Sequence, residues 1–345
     1  MSEMFRIILL GPTAVGKSGV AEQLAQRLQT EIIVADSRQV YQGMEIGTEK
    51  PTMEARGRVP RHLIDLVPPD VSFSAGMFKR LAEGKIAEMM KREKTVFIEG
   101  GTGLYIKTLL DGLWEGPPAD WAFRNRLLQE EKVEGEGTLH RRLAEADPPA
   151  AARIHPHDLP KIVRALEVYH QVGRPLSELH AAHRSEKPQM VSVSTSGFRS
   201  CLQPFPGGHN HFQKVRDRYR LIGLRRDREV LYRRIERRVE MQMGKGLVEE
   251  TARLLSAGYS PELQSMRGLG YRQIIPYLQG ERTLDESVAL LKRDTRRYAK
   301  RQMTWFGADP RIDWVDLAPE EPPEETAERI HSDLRETGFG RNENR

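Results

Sequence analysis

The sequence predicts an α/β fold, a parallel sheet flanked by helices with a small helical domain inserted into it. Three observations carry that prediction. Short apolar runs at 6–10, 31–35, 62–66 and 95–99 alternate with stretches of helical period, the pattern of strand–helix–strand crossovers. Several of these runs end in glycine or aspartate, the residues that turn a chain at the carboxyl edge of a sheet. From Asp120 to about His183 the pattern becomes strand-poor, with apolar residues at helical spacing (Phe123, Leu127, Leu139, Leu143, Ile162, Leu166).

The first element is the most informative. Arg6 to Leu10 reads as a strand, and Gly11-Pro12-Thr13-Ala14-Val15-Gly16-Lys17-Ser18 follows it in the GxxxxGK[ST] pattern. Gly19 to Leu28 then places Val20, Leu24 and Leu28 on one helical face. In such a loop, backbone N–H groups and a helix N-terminus surround an anion, the lysine neutralises phosphate charge and the serine hydroxyl ligates Mg²⁺. The fold class is therefore P-loop NTPase-like, and a bound di- or triphosphate is expected. Taken alone, the loop is most often an ATP or GTP site.

Glu31 to Ala35 is the second strand, and it delivers Asp36 to the edge where Lys17 lies. A carboxylate there either holds Mg²⁺ or accepts a proton from a nucleophile; the alternative is that Asp36 only caps the next segment. His62 to Leu66 reads as a short strand, Ser74 to Arg92 as a covering helix and Thr95 to Glu99 as a further strand, followed by the turn Gly100-Gly101-Thr102-Gly103. Glu99 stands where a motor-type ATPase carries aspartate, which argues against that class.

The segment Ser185 to Gly208 reads as an irregular connection with one strand near Met190 to Val193, and Arg218 to Leu224 resumes the sheet. From Arg216 to Glu240 there are ten arginines against five acidic residues. Most form the solvated face of a helix, and one or two are expected to close over the phosphate site. A last long helix runs from about Leu284 to Phe306. Its half from Lys292 to Phe306 carries six basic residues against one acidic, interleaved with Tyr298 and Trp305. Such a face contacts nucleic-acid phosphates and stacks on bases. Beyond Pro310 one short apolar segment precedes an acidic tail that is expected to fray.

Domain boundaries follow: a core at 1–113, a helical insertion at 114–200, completion of the core with the basic helical region at 201–315, and a tail at 316–345. A net charge of +5 and a pI near 9.2 fit an anionic partner. The only cysteine, Cys201, excludes an intramolecular disulfide and a cysteine metal cluster. No run approaches the roughly 20 apolar residues of a membrane span, so no membrane association and a cytoplasmic location are expected.

Six motifs in order resemble one family. They are Gly11 to Ser18; Asp36-Ser37-Arg38-Gln39-Val40-Tyr41 with Gly43 to Thr48; Gly100 to Tyr105; Arg164-Ala165-Leu166-Glu167; Gly270-Tyr271-Arg272-Gln273; and Ala299 to Phe306. Together, over roughly residues 5 to 310, they resemble tRNA dimethylallyltransferase (tRNA isopentenyltransferase). The resemblance implies transfer of a dimethylallyl group from dimethylallyl diphosphate to N6 of the adenosine just 3′ of a tRNA anticodon. By this resemblance Gly11 to Ser18 hold the donor diphosphate, with Lys17 and Mg²⁺ on Ser18 stabilising the leaving group. Asp36 acts as general base, and Arg238 contacts the diphosphate with Thr13 beside it. It also implies tRNA contacts from Asp36, Ser37, Arg38, Gln39 and Thr102, from Pro160, Lys161, Ile162, Val163 and Arg164, and from Arg267, Gly268, Leu269, Gly270, Tyr271 and Arg272. The helical insertion would close over the anticodon stem-loop, and the enzyme is expected to be a monomer. Lys161 stands where the family often has arginine, and the connection from Ser185 to Gly208 is longer than usual. Two rivals use the same residues: a P-loop kinase of a small metabolite, and a nucleotide-dependent RNA-binding protein.

Overall fold

The computed structural model describes residues 6–112, 116–185 and 219–337. The chain divides into two compact units, Met1–Gly112 with Pro206–Arg345, and Leu113–Phe205. The expected strand at 190–193 and Cys201 lie outside the described residues, as does the Ser185–Gly208 connection from residue 186 onward.

The first unit is built on a six-stranded sheet: β1 (Arg6–Leu10), β2 (Ile32–Ala35), β3 (Arg61–His62), β4 (Val96–Gly100), β5 (Tyr219–Arg225) and β6 (Ile312–Asp316). All pairings are parallel, and the spatial order is β3-β2-β4-β1-β5-β6. Helices cover both faces, so β1, β2 and β4 are buried throughout and are apolar except for Arg6 and Glu99. Successive residues of β1 enter opposite layers: Ile8 and Leu10 join one core, Ile7 and Leu9 the other.

Register positions the site. Leu10 pairs with Gly100, and Ala35 pairs with Gly100 from the other side. The next residues, Gly11, Gly101 and Asp36, therefore leave the sheet side by side at its carboxyl edge. Gly100 is required there, because a Cβ would lie 2.3 Å from the Ala35 carbonyl oxygen.

Two expectations are corrected. The strand read at His62 to Leu66 is only Arg61–His62, paired with Ile32 and Ile33. Leu63 and Asp65 adopt positive φ (66° and 54°), which ends extended pairing. The acidic tail does not fray over its described length: Pro323–Glu336 is a helix that buries Thr326, Ala327, Ile330 and Leu334 and packs on helix Lys17–Arg27. Its apolar stripe is short and diluted by charge, and it follows β6, which extends the sheet beyond β5.

In the second unit, helices Trp121–Glu134, Thr138–Ala146 and Leu159–Val172 enclose Phe123, Leu127, Leu139, Leu143, Ile162 and Leu166. The fully buried Glu167 is satisfied by Arg124 (2.8 Å), by the Asp120 N–H (2.6 Å) and by Arg164. Among the described residues, no helix is long and apolar enough to cross a membrane.

Candidate active site

The Gly11–Ser18 loop sits between β1 and helix Lys17–Arg27, as its pattern requires. Lys17 Nζ donates to the Pro12 carbonyl at 2.8 Å, which folds its side chain back over the loop. Its pKa falls to about 8: desolvation dominates and Arg238 adds to it, while Glu99 and Asp36 oppose. An ammonium destabilised in this way gains most from an arriving anion. Ser18 Oγ donates to Glu99 Oε1 at 2.7 Å, and Arg61 Nη1 holds Glu99 Oε2 at 2.8 Å. Glu99 thus stands beside the loop hydroxyl.

Three arginines from the segment expected to supply one or two surround the loop. Arg226 Nε donates to the Val15 carbonyl at 3.0 Å, Arg234 Nε to the Ala14 carbonyl at 3.0 Å, and Arg238 Nη1 to Thr13 Oγ1 at 2.9 Å. Arg234 and Arg238 are one turn apart on helix Arg228–Gly244, and Arg237 and Met241 share their face. Together with Gly16, Lys17, Ser18 and Glu49 they line a cavity of about 320 Å³. Such a set suits a compact, multiply charged anion. Sequence reasoning missed Arg226 and Arg234; the i, i+4 spacing of Arg234 and Arg238 was the available signal.

Asp36 takes the capping role its position allowed. Its Oδ1 accepts from the Arg38 N–H at 2.7 Å and the Gln39 N–H at 3.2 Å, capping the turn after β2, while Oδ2 takes no part in that turn. Its charge is felt by Lys17, Tyr105 and Tyr298. Burial, followed by Asp36, pushes the Tyr298 hydroxyl up to about 12. Ser37 N–H donates to Thr102 Oγ1 at 3.0 Å, which joins the β2 and β4 turns.

A family model described as IPP transferase matches residues 39–309. The chain belongs to the IPP transferase family. It is 48% identical over 310 residues to "tRNA dimethylallyltransferase 2" of Geotalea uraniireducens, covering 90% of this chain and 91% of that one. It is 47% identical to "tRNA dimethylallyltransferase" of Geobacter metallireducens, covering 90% and 92%. Among solved structures, the full-length tRNA isopentenylpyrophosphate transferase of Bacillus halodurans superposes with a TM-score of 0.64 at 35% identity, covering 97% of this chain and 98% of that one.

Within this IPP transferase chain, the remaining residues implied for tRNA divide by exposure. Pro160 and Lys161 are exposed in the first turn of helix Leu159–Val172, and Lys161 pairs with Asp158. Arg164 is tied to Glu167 and to the Pro117 carbonyl (2.9 Å). Ile162 and Val163 belong to the core of the helical unit, so their side chains face inward, away from any RNA. The segment 267–272 divides in the same way. Arg267 and Arg272 are exposed, pairing with Glu262 and Asp294, while Gly268 and Gly270 are buried and Leu269 is half-buried. Tyr271 is buried, its hydroxyl donating to Glu250 at 2.7 Å. That carboxylate also accepts the N–H groups of Glu45, Ile46 and Gly47, fixing the loop that carries Glu49. On the basic helix Leu284–Gly307, Lys292 and Arg296 pair with Glu240 and Glu236 at 2.7 Å each, and Arg297, Lys300 and Arg301 stand exposed.

Proposed function

We propose that this protein is a tRNA dimethylallyltransferase that moves the dimethylallyl group of dimethylallyl diphosphate to N6 of the adenosine just 3′ of the anticodon. The name carried by its relatives supports the reaction. The observation that carries it to this site is the convergence of Lys17, Arg238 and Thr13 on one phosphate loop within electrostatic reach of Asp36. The N6 lone pair bonds to the allylic carbon, the carbon–oxygen bond breaks, and its electrons leave with diphosphate. Lys17, Arg238 and the loop N–H groups meet the charge that develops on the departing oxygens. N6 becomes acidic as its bond to carbon forms, and Asp36 takes that proton.

The Ser18 hydroxyl and the Glu99 carboxylate, 2.7 Å apart, are hard oxygen donors of the kind Mg²⁺ takes together with phosphate oxygens and water. When bound, the ion would neutralise charge on the leaving diphosphate. In this reading the loop binds a leaving group and no nucleotide is needed. The exposed Arg267, Arg272, Arg297, Lys300 and Arg301, with Ser37, Arg38, Gln39 and Thr102 near Asp36 and Lys161 on the helical unit, supply the RNA contacts. We place the reaction in the cytoplasm and take the enzyme to act as a monomer.

The test is label transfer from dimethylallyl diphosphate to an anticodon stem-loop with consecutive adenosines, in Mg²⁺ without ATP, and its loss on chelation. Label moving only from γ-labelled ATP to a small acceptor would replace this reading with the kinase.

A further inference from the structure

Gln302 lies on the helix that carries the basic face, yet it is only 7% exposed and both ends of its amide are used inside the protein. Its Oε1 accepts the Thr13 N–H at 2.8 Å, and its Nε2 donates to the Gly101 carbonyl at 2.8 Å. Thr13 belongs to the phosphate loop after β1, and Gly101 to the turn after β4. The fit is tight on the Gln302 side: a Cβ at position 101 would lie 2.6 Å from Gln302 Nε2, with Lys17 Nζ at an ordinary contact distance of 3.7 Å. One side chain thus spans the two turns and takes up one loop N–H. The same helix presents Lys300 and Arg301 to solvent immediately before it.

We infer that Gln302 is a positioning residue of the donor site, setting the Gly11–Ser18 loop in register with the Gly100–Gly103 turn and tying that loop to the helix with the basic face. The inference rests on the reading that the loop holds the donor diphosphate. Gln302 touches neither reacting group. It acts through Thr13, which also receives Arg238, and through Gly101, which lies against Lys17. Losing both bonds leaves the Thr13 N–H and the Gly101 carbonyl without their partner and lets the loop drift from the geometry that suits the anion.

The test is steady-state kinetics of Gln302→Met, Gly101→Ala and the double variant with dimethylallyl diphosphate and anticodon stem-loop RNA. Each single variant is expected to raise the donor KM about tenfold while the RNA KM stays within about twofold, since a tenfold change corresponds to about one lost hydrogen bond. The double variant should fall short of the product of the two effects, because both act through the Gln302 amide. An unchanged donor KM, or equal rises in both KM values, overturns the inference. If Gln302→Met does not fold, Gly101→Ala reads the same bond from the other side. If the wild-type protein transfers no prenyl label, the proposed reaction fails on its own, and calorimetry with inorganic diphosphate and Mg²⁺ still decides. Binding about tenfold weaker in the variant supports the role of Gln302, and equal binding removes it.

Discussion

Glu49 Oε1 lies 3.0 Å from Nε of Arg238, so the arginine that reaches Thr13 with one nitrogen is held by a carboxylate through another. Glu49 also lines the cavity beside the phosphate loop, where its charge would compete with a bound diphosphate. The pair is partly exposed, which limits it to under about 1 kcal/mol. Glu49→Gln should therefore tighten donor binding by about two- to fivefold, as read by the donor KM. Arg238→Ala should lower kcat/KM for the donor by about 10²–10³. Weaker binding in Glu49→Gln would make Glu49 an orienting partner and not a competitor.

Lys17 sets a pH dependence. Its folded-state pKa of about 8 lies below the ordinary 10.5, so the free protein releases this proton as pH rises past about 8. A bound diphosphate favours the charged form, so binding above that pH takes up a proton, and affinity should fall by up to about tenfold per pH unit. Calorimetry in buffers of different ionisation enthalpy reads the uptake directly. The stability of the donor-free protein has the opposite sign. Between about 8 and 10.5 the unfolded chain holds the proton more firmly, so the contribution of Lys17 to stability rises with pH through that window.

Ile330→Ala should cost about 2–4 kcal/mol in urea unfolding, as expected for a large apolar side chain in a packed core. Ile330 is only 3% exposed where helix Pro323–Glu336 meets helix Lys17–Arg27. No change in stability would show that the C-terminal helix is detached in solution.

Lys300→Ala and Arg301→Ala should each weaken stem-loop binding and reduce the slope of log K against log salt by about 0.7–0.9. Lys292→Ala should change the slope less, because Glu240 already holds that ammonium at 2.7 Å. Equal slopes for all three would move the RNA to another face.

The phosphate loop was legible because its chemistry is local: consecutive residues supply the turn, the lysine and the hydroxyl. The long helix was legible as a helix but its faces were not. Tyr298 and Gln302 sit among basic residues in sequence, yet the first is half-buried within reach of the Asp36 charge and the second bridges Thr13 and Gly101. Ile162, Val163 and Tyr271 lie in segments the resemblance implied for tRNA contact, and burial assigns their side chains to packing. The C-terminal helix was read as a tail because three or four buried residues among many charges give little periodic signal until a partner helix is in place.

By itself the sequence determined the strand–helix alternation of the core, the phosphate-loop pattern and the candidate base, since each depends on residues near one another in the chain. Only the tertiary structure decided which of ten arginines reach that loop, that Glu99 stands beside Ser18, and that Gln302 joins two turns that precede it in the chain by 201 and 289 residues. Those choices depend on parallel register and helix rotation, which bring distant segments within hydrogen-bond reach and leave no periodic mark on either segment alone.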